Sequence, residues 1–390
     1  MSEFIPLSVP SIKGNEWKYV KECIDTEWVS SAGKYVDQFE KDICRLSGAG
    51  YAIACVNGTA ALQIALQLVG VTSDDEVIVP TITFIASVNA ISYLNAKPVF
   101  MDCDDFYNID VEKTIDFIRK ETIYKNGFTF NKKTGKRIAA VIIVHVFGNP
   151  VNVVYLLDLC RARNLSIVED AAESIGTYYT AGDLSSRHTG TIGDVGCYSF
   201  NGNKIITCGG GGMIVTNNRD YAERAKYLTT QAKDDPVRYI HHEIGYNFRL
   251  TNVQAALGVA QLESLQDYII VKKKNYEYYK LNIDSIPGLY LANVPEYGHS
   301  NYWFYCLRIN PDGYGKNREE LMKYFSEHKI QTRPIWYLNH LQQPYKNAQS
   351  YRIEYAYKLY DRTLNIPCSV NITQAQLDTV IKVLKNGSKK

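Results

Sequence analysis

Seven short Val/Ile-rich runs punctuate the chain up to Thr216 without the every-other-residue alternation of a half-exposed strand. They are Tyr51 to Val56, Glu76 to Val79, Pro98 to Met101, Ile138 to Val144, Leu165 to Val168, Gly196 to Phe200 and Gly212 to Thr216. Helical patterns separate most of them, at Ala60 to Leu68, Phe84 to Leu94, Val153 to Arg163 and Tyr221 to Thr229. Strands apolar on both faces need cover on both, and helices between them supply it, so the spacing predicts an α/β fold with a mostly parallel sheet. Two short amphipathic helices are expected before it, on Trp17, Val20 and Ile24 and on Val36, Phe39, Ile43 and Leu46. A long helical stretch follows from Thr251 to about Leu281. The pattern then changes to strands at Tyr290 to Val294, Trp303 to Ile309 and Gln331 to Ile335. Helices at Arg318 to His328, Glu354 to Thr363 and Gln374 to Leu384 complete it. These read as a smaller C-terminal α+β domain, with units 1–282 and 283–390. The insert Arg119 to Arg137 reads as a surface excursion, a hairpin.

Composition narrows the function classes. The 390 residues are 46% hydrophobic and 22% charged, enough for a large core and unlike a disordered chain. Lys and Arg number 43 against 41 acids, a net charge of +2, so there is no basic surplus to attract nucleic acid or a membrane surface. Nine cysteines, none spaced CxxC, read as small buried hydrophobes in a reducing compartment. Met1 to Trp17 lacks a signal pattern, and no apolar run reaches the roughly 20 residues of a membrane span. A cytoplasmic protein is expected, with the sequons at Asn57, Asn164 and Asn371 unused. The 30 tyrosines are a surplus that composition leaves unexplained. No metal site is expected. Counting a calcium loop from Asp102 puts Tyr107 where Gly belongs and Lys113 where Glu belongs, and His241-His242-Glu243 lacks the second His of a zinc helix.

Three segments carry chemistry. Asn57-Gly58-Thr59-Ala60-Ala61 stands at a strand-to-helix junction, where free N–H groups and the helix dipole favour an anion. On its own it reads first as a turn with a Thr59 N-cap. Neither GxGxxG nor a Walker loop occurs, so the phosphate belongs to something smaller than a dinucleotide. Glu169-Asp170-Ala171-Ala172-Glu173 puts acids at the carboxyl end of a buried strand, where Asp170 can anchor a protonated ring nitrogen or cap the next turn. Ser199-Phe200-Asn201-Gly202-Asn203-Lys204 places a lysine on a tight turn, a position suited to an amine that must reach a carbonyl. The glycines at 209 to 212 read as a turn into the next strand. His145, after the strand ending at Val144, reads as a satisfied near-core histidine.

A phosphate cradle, a carboxylate and a lysine in that order suit pyridoxal phosphate (PLP). On these motifs, and on Tyr246-Asn247-Phe248-Arg249-Leu250-Thr251-Asn252, the chain resembles the DegT/DnrJ/EryC1/StrS family of nucleotide-sugar aminotransferases over nearly its whole length. Trp28 to Val36 and Gln231 to Pro236 look most like the subgroup that aminates C4 on the way to legionaminic acid. The resemblance implies the aspartate aminotransferase fold (fold type I). It implies that Lys204 holds PLP and then shuttles a proton, and that Asp170 keeps the pyridine nitrogen protonated. Gly58, Thr59 and Ser199 would bind the phosphate, Phe84 would stack on the ring and Glu173 would lie beside it. Asn252 would reach the phosphate of a neighbouring subunit, completing a homodimer. Lys34, Arg249, Arg333, Trp336 and His340 come from segments that line the sugar-nucleotide cleft in the family. L-glutamate is the implied donor, and a nucleotide-linked 4-keto-6-deoxy-2-acetamido sugar the acceptor. A bacillosamine- or perosamine-type sugar is the alternative. Relatives that dehydrate rather than transaminate carry histidine in place of Lys204. A PLP lyase using Cys208 and a regulator that binds sugar nucleotide without turnover are the competing readings.

Overall fold

The computed structural model describes residues 4–388. Helices α1 (Glu16–Asp25) and α2 (Lys34–Ser47) lead into strand β1 (Tyr51–Cys55) and helix α3 (Gly58–Leu68). Then come β2 (Glu76–Pro80), α4 (Ala86–Tyr93), β3 (Lys97–Met101) and α5 (Val111–Lys120). The insert forms the antiparallel hairpin β4 (Thr122–Lys125) and β5 (Phe128–Asn131), which pairs with the start of β6 (Arg137–Val144). Helix α6 (Val154–Ala162), β7 (Ser166–Asp170), β8 (Tyr178–Tyr179), β9 (Val195–Ser199), β10 (Gly212–Thr216) and α7 (Arg219–Thr229) follow.

The main sheet has the order β1-β10-β9-β7-β6-β2-β3. From β9 to β3 every pairing is parallel, while β10 runs antiparallel to both β9 and β1. Strands β2, β9 and β10 are buried at every position, which is why their sequences show no alternation.

The stretch expected as one helix is two, α8 (Asn252–Glu263) and α9 (Leu265–Ile283), broken at Ser264. The apolar positions continue across the break, so periodicity does not reveal it. Beyond α9 lie β11 (Leu289–Leu291), β12 (Gly298–His299), β13 (Tyr305–Ile309), the single turn α10 (Pro311–Tyr314), α11 (Arg318–Glu327) and β14 (Arg333–Pro334). The chain ends with β15 (Gln349–Tyr351), α12 (Tyr355–Arg362), β16 (Thr363–Ile366) and α13 (Gln374–Gly387). A second, antiparallel sheet has the order β11-β13-β16-β14. Strand β15 lies outside it and extends the main sheet parallel to β3. The amino terminus crosses to the second sheet: Ile5 bridges Ile330, and Cys368 N–H donates to Leu7 O at 2.8 Å.

Candidate active site

Strand register builds the site. Cys55 at the end of β1 faces Gly212 at the start of β10, and Gly212 faces Ser199 at the end of β9. Asp170 closes β7 and pairs with Cys197 of β9, so the acids expected just past this strand include its last residue. The first turn of α3, Ser199 and Asp170 therefore meet at the carboxyl edge of the sheet, where open α/β sheets bind ligands. Their approach requires glycines. A Cβ on Gly212 would lie 2.5 Å from the Asn57 carbonyl carbon, and one on Gly58 would lie 2.9 Å from Ser199 Cβ.

A cavity of about 260 Å³ opens there, lined by Gly58, Thr59, Phe84, Asp170, Glu173, Ser199, Lys204 and Trp336 among others. The cap of α3 is Asn57, whose side chain accepts Ala60 N–H at 2.8 Å, and not Thr59. The Thr59 hydroxyl and the N–H groups of Gly58 and Thr59 are thereby left for an anion. Asp170 Oδ2 accepts the Ser87 hydroxyl at 2.5 Å, and its Oδ1 accepts Ala172 N–H at 3.1 Å, so the carboxyl is both oriented and a local cap. Glu169, the adjacent residue, points to the opposite face of the sheet. It accepts N–H from Gly190, Ile192 and Gly193 and a 2.9 Å bond from His145 Nε2. Burial opposes the ionised form of Glu169, but His145 and these N–H groups hold its carboxyl below the ordinary range. His145 is fully buried and its Nδ1 accepts Val151 N–H, so it belongs to the core.

The lysine and Glu173 are tuned against each other. Burial lowers the Lys204 amine from its usual value, and the carboxyls of Glu173 and Asp170 pull it back up. Burial pushes Glu173 up to about 7, opposed by the charge of Lys204 and by Phe147 N–H, which donates to Oε2 at 2.7 Å. An amine made less basic by burial is a better nucleophile and proton carrier near neutral pH.

Five expected contacts lie elsewhere in the single chain. Both amide hydrogens of Asn252 are engaged, by Trp28 O at 2.7 Å and Cys23 Sγ at 3.3 Å, while its Oδ1 accepts Tyr35 N–H. Within the single chain these bonds tie Asn252 to the segment 28–35 and to α1. Lys34 pairs with Glu22 and sits in a separate hollow with Trp28 and Asn252. Both nitrogens of His340 are taken, by the hydroxyls of Thr81 at 2.7 Å and Tyr357 at 2.8 Å, which leaves none for a substrate. Arg249 is half-buried and bonds Asn247 Oδ1, and Arg333 is exposed on β14. Trp336 alone of the expected substrate residues lines the cavity, with its Nε1 buried and unpartnered among the described residues.

Sequence reasoning missed Ser87 and Trp303. Ser87 lies 83 positions from the carboxyl it serves, and Trp303 reaches the cavity from beyond α9, so no local pattern marks either. Burial pushes the Cys208 thiol up, contrary to the needs of a mobile cysteine nucleophile. The acids Asp102 and Asp110 cap helices α12 and α5. All nine cysteines are free. No helix among the described residues is long and apolar enough to cross a membrane.

The residues fit PLP: a helix N-terminus and Ser199 for the phosphate, Asp170 for the ring nitrogen, Phe84 for the ring face and Lys204 for the carbonyl. Comparison with known proteins agrees. The model of the DegT/DnrJ/EryC1/StrS aminotransferase family matches residues 10–385. A GDP-perosamine synthase of Escherichia coli O157:H7 is 35% identical over 96% of this chain and 96% of its own length. A GDP-perosamine synthase of Caulobacter vibrioides is 34% identical over 97% of each. Among solved structures, the aminotransferase TlmJ from Streptoalloteichus hindustanus superposes with a TM-score of 0.87 at 26% identity over 99% of both chains. A DegT DnrJ EryC1 StrS aminotransferase from Brucella abortus gives 0.86 at 26% identity over 96% of both.

Proposed function

Because this chain belongs to the DegT/DnrJ/EryC1/StrS aminotransferase family, which has fold type I and depends on PLP, we propose that it moves an amino group from L-glutamate to C4 of a nucleotide-linked 4-keto-6-deoxy sugar. The observation that carries the reading is the convergence of Lys204, Asp170, Ser199 and the first turn of α3 on one cavity. When bound, PLP supplies a carbonyl carbon and an electron-withdrawing ring. Asp170, oriented by Ser87, would keep the proton on the ring nitrogen. The α3 N-terminus with Thr59 and Ser199 would hold the phosphate, and Phe84 and Trp336, in edge contact with each other in the cavity wall, would shield the ring from water. Lys204 Nζ would be the amine that holds the cofactor's carbonyl carbon, and the base that moves a proton at the reacting carbon.

The acceptor has two finer readings. The relatives named GDP-perosamine synthase favour a GDP-linked sugar leading to a perosamine-type product. The runs Trp28 to Val36 and Gln231 to Pro236 favour a UDP-linked 2-acetamido sugar of the legionaminic type. We read the enzyme as a cytoplasmic homodimer of two-unit chains, 1–282 and 283–390, in which Lys34, Arg249 and Arg333, outside this chain's own cavity, serve a neighbouring subunit's cleft. The test is to load the protein with PLP, add glutamate, and offer GDP- and UDP-linked 4-keto sugars. The yellow colour is expected to fade with glutamate, and NMR of the product to show nitrogen at C4. Lys204→Ala is expected to lose at least about 10²–10⁴ in turnover. Multiple turnovers by that variant would overturn the reading.

A further inference from the structure

Lys204 Nζ lies 4.0 Å from the centroid of the Trp303 ring. The same indole donates its Nε1–H to Asn203 O at 2.9 Å, so it is tied to the turn that carries the lysine. Trp303 is 1% exposed, and Phe304 stacks against it at 4.1 Å between centroids. It stands two residues before β13, an inner strand of the second sheet, and so links that sheet to the lysine turn. A ring face attracts an ammonium and not a neutral amine. Unlike a hydrogen-bond acceptor, it leaves the N–H protons free for donation. We propose that Trp303 is a positioning residue for Lys204, its indole face holding the protonated amine in the cavity whenever that amine is not bonded to the cofactor. The inference rests on Lys204 being the lysine that bonds PLP.

The titratable groups facing the amine are Glu173 and Asp170. Without the indole they and burial alone set its basicity, and the ammonium form is weakened. The test uses apo-protein with PLP as the probe and reads the rate at which yellow colour develops as a function of pH, since only the neutral amine captures the carbonyl. Trp303→Leu is expected to move the midpoint of that profile down by about 0.5–1 pH unit. Trp303→Phe, which keeps a ring face but loses the bond to Asn203 O, is expected to stay close to wild type. The shift should persist in a Glu173→Gln background, where Glu173 no longer titrates. A Leu profile that overlays wild type, or a Phe profile displaced as far as the Leu one, overturns the proposal. If Trp303→Leu does not fold, Trp303→Met serves in its place with the same expectation. Lys204→Ala separates the two levels of the argument: yellow colour at the wild-type rate in that variant defeats the assignment of Lys204, whereas its absence with unshifted Trp303 profiles defeats only the role of Trp303.

Discussion

A methyl group on Gly58 would press on Ser199 Cβ at 2.9 Å, and both residues line the phosphate end of the cavity. Gly58→Ala is therefore expected to weaken PLP binding at least tenfold, the clash costing about 1–3 kcal/mol. PLP titration of the purified variant measures it. Glu173 makes a prediction in pH. Its carboxyl, ordinarily at 4.5, is pushed up to about 7 by burial, so the folded chain keeps a proton that the unfolded chain has released. Stability of the apo-protein should fall as pH rises from about 4.5 through 7 and level off above. Glu173→Gln, which can still accept Phe147 N–H, should lose that slope and gain about 1–3 kcal/mol at pH 8 relative to wild type, read from urea melts at pH 5 and 8. At this scale the sequence made legible the residues whose neighbours in the chain share their task. Thr59, Asp170, Ser199 and Lys204 each sit in a motif, whereas Ser87 and Trp303 act on residues far away along the chain.

Among the elements, α8 begins with a residue whose work is structural. Asn252→Ala removes two bonds that hold the segment 28–35 and a third to Cys23 of α1, and is expected to cost about 2–4 kcal/mol in urea or thermal melts of the apo-protein. If Asn252 instead bound phosphate, the loss would appear as PLP affinity with melting unchanged. Strand β10 carries a similar tolerance. Gly212→Ala drives a methyl into the backbone of Asn57 and Gly58, and is expected to destabilise by about 2–4 kcal/mol and to displace α3 from the cavity. The seven apolar runs all became strands, because strands buried on both faces leave a continuous trace in composition. The short strands β8 and β12 did not show, since two residues have no period to read, while β14 is the two-residue core of the strand expected at Gln331 to Ile335. The direction of β10 was not legible either: a buried strand has the same composition whichever way it runs.

In the whole molecule, the two sheets are joined by more than the link after α9. Strand β15 returns to the main sheet, and the segment around Leu7 pairs with both Ile330 and Cys368 of the second unit's side. Tyr268 and Gln261 add hydrogen bonds to Ser11 O at 3.0 and 2.8 Å. Removing the chain ahead of Ser11 is expected to lower the melting temperature by several degrees and to expose the 330–334 region to protease. PLP at 100 times its dissociation constant should stabilise the intact protein by about 2.7 kcal/mol, seen as a rise in melting temperature. Hydropathy separates the two sheets but is silent on these crossings, which depend on backbone pairing between distant segments.

The bond between Leu7 and Cys368 spans 361 positions. On a ribosome adding ~5–20 residues per second, Leu7 emerges roughly 20–70 s before its partner exists. The amino-terminal segment must therefore wait unpaired while the residues between them are made, and β3 waits about two-thirds as long with an open edge until β15 arrives. Both pairings are thus delayed until these later segments emerge, and they close on a main sheet whose other strands have already been made.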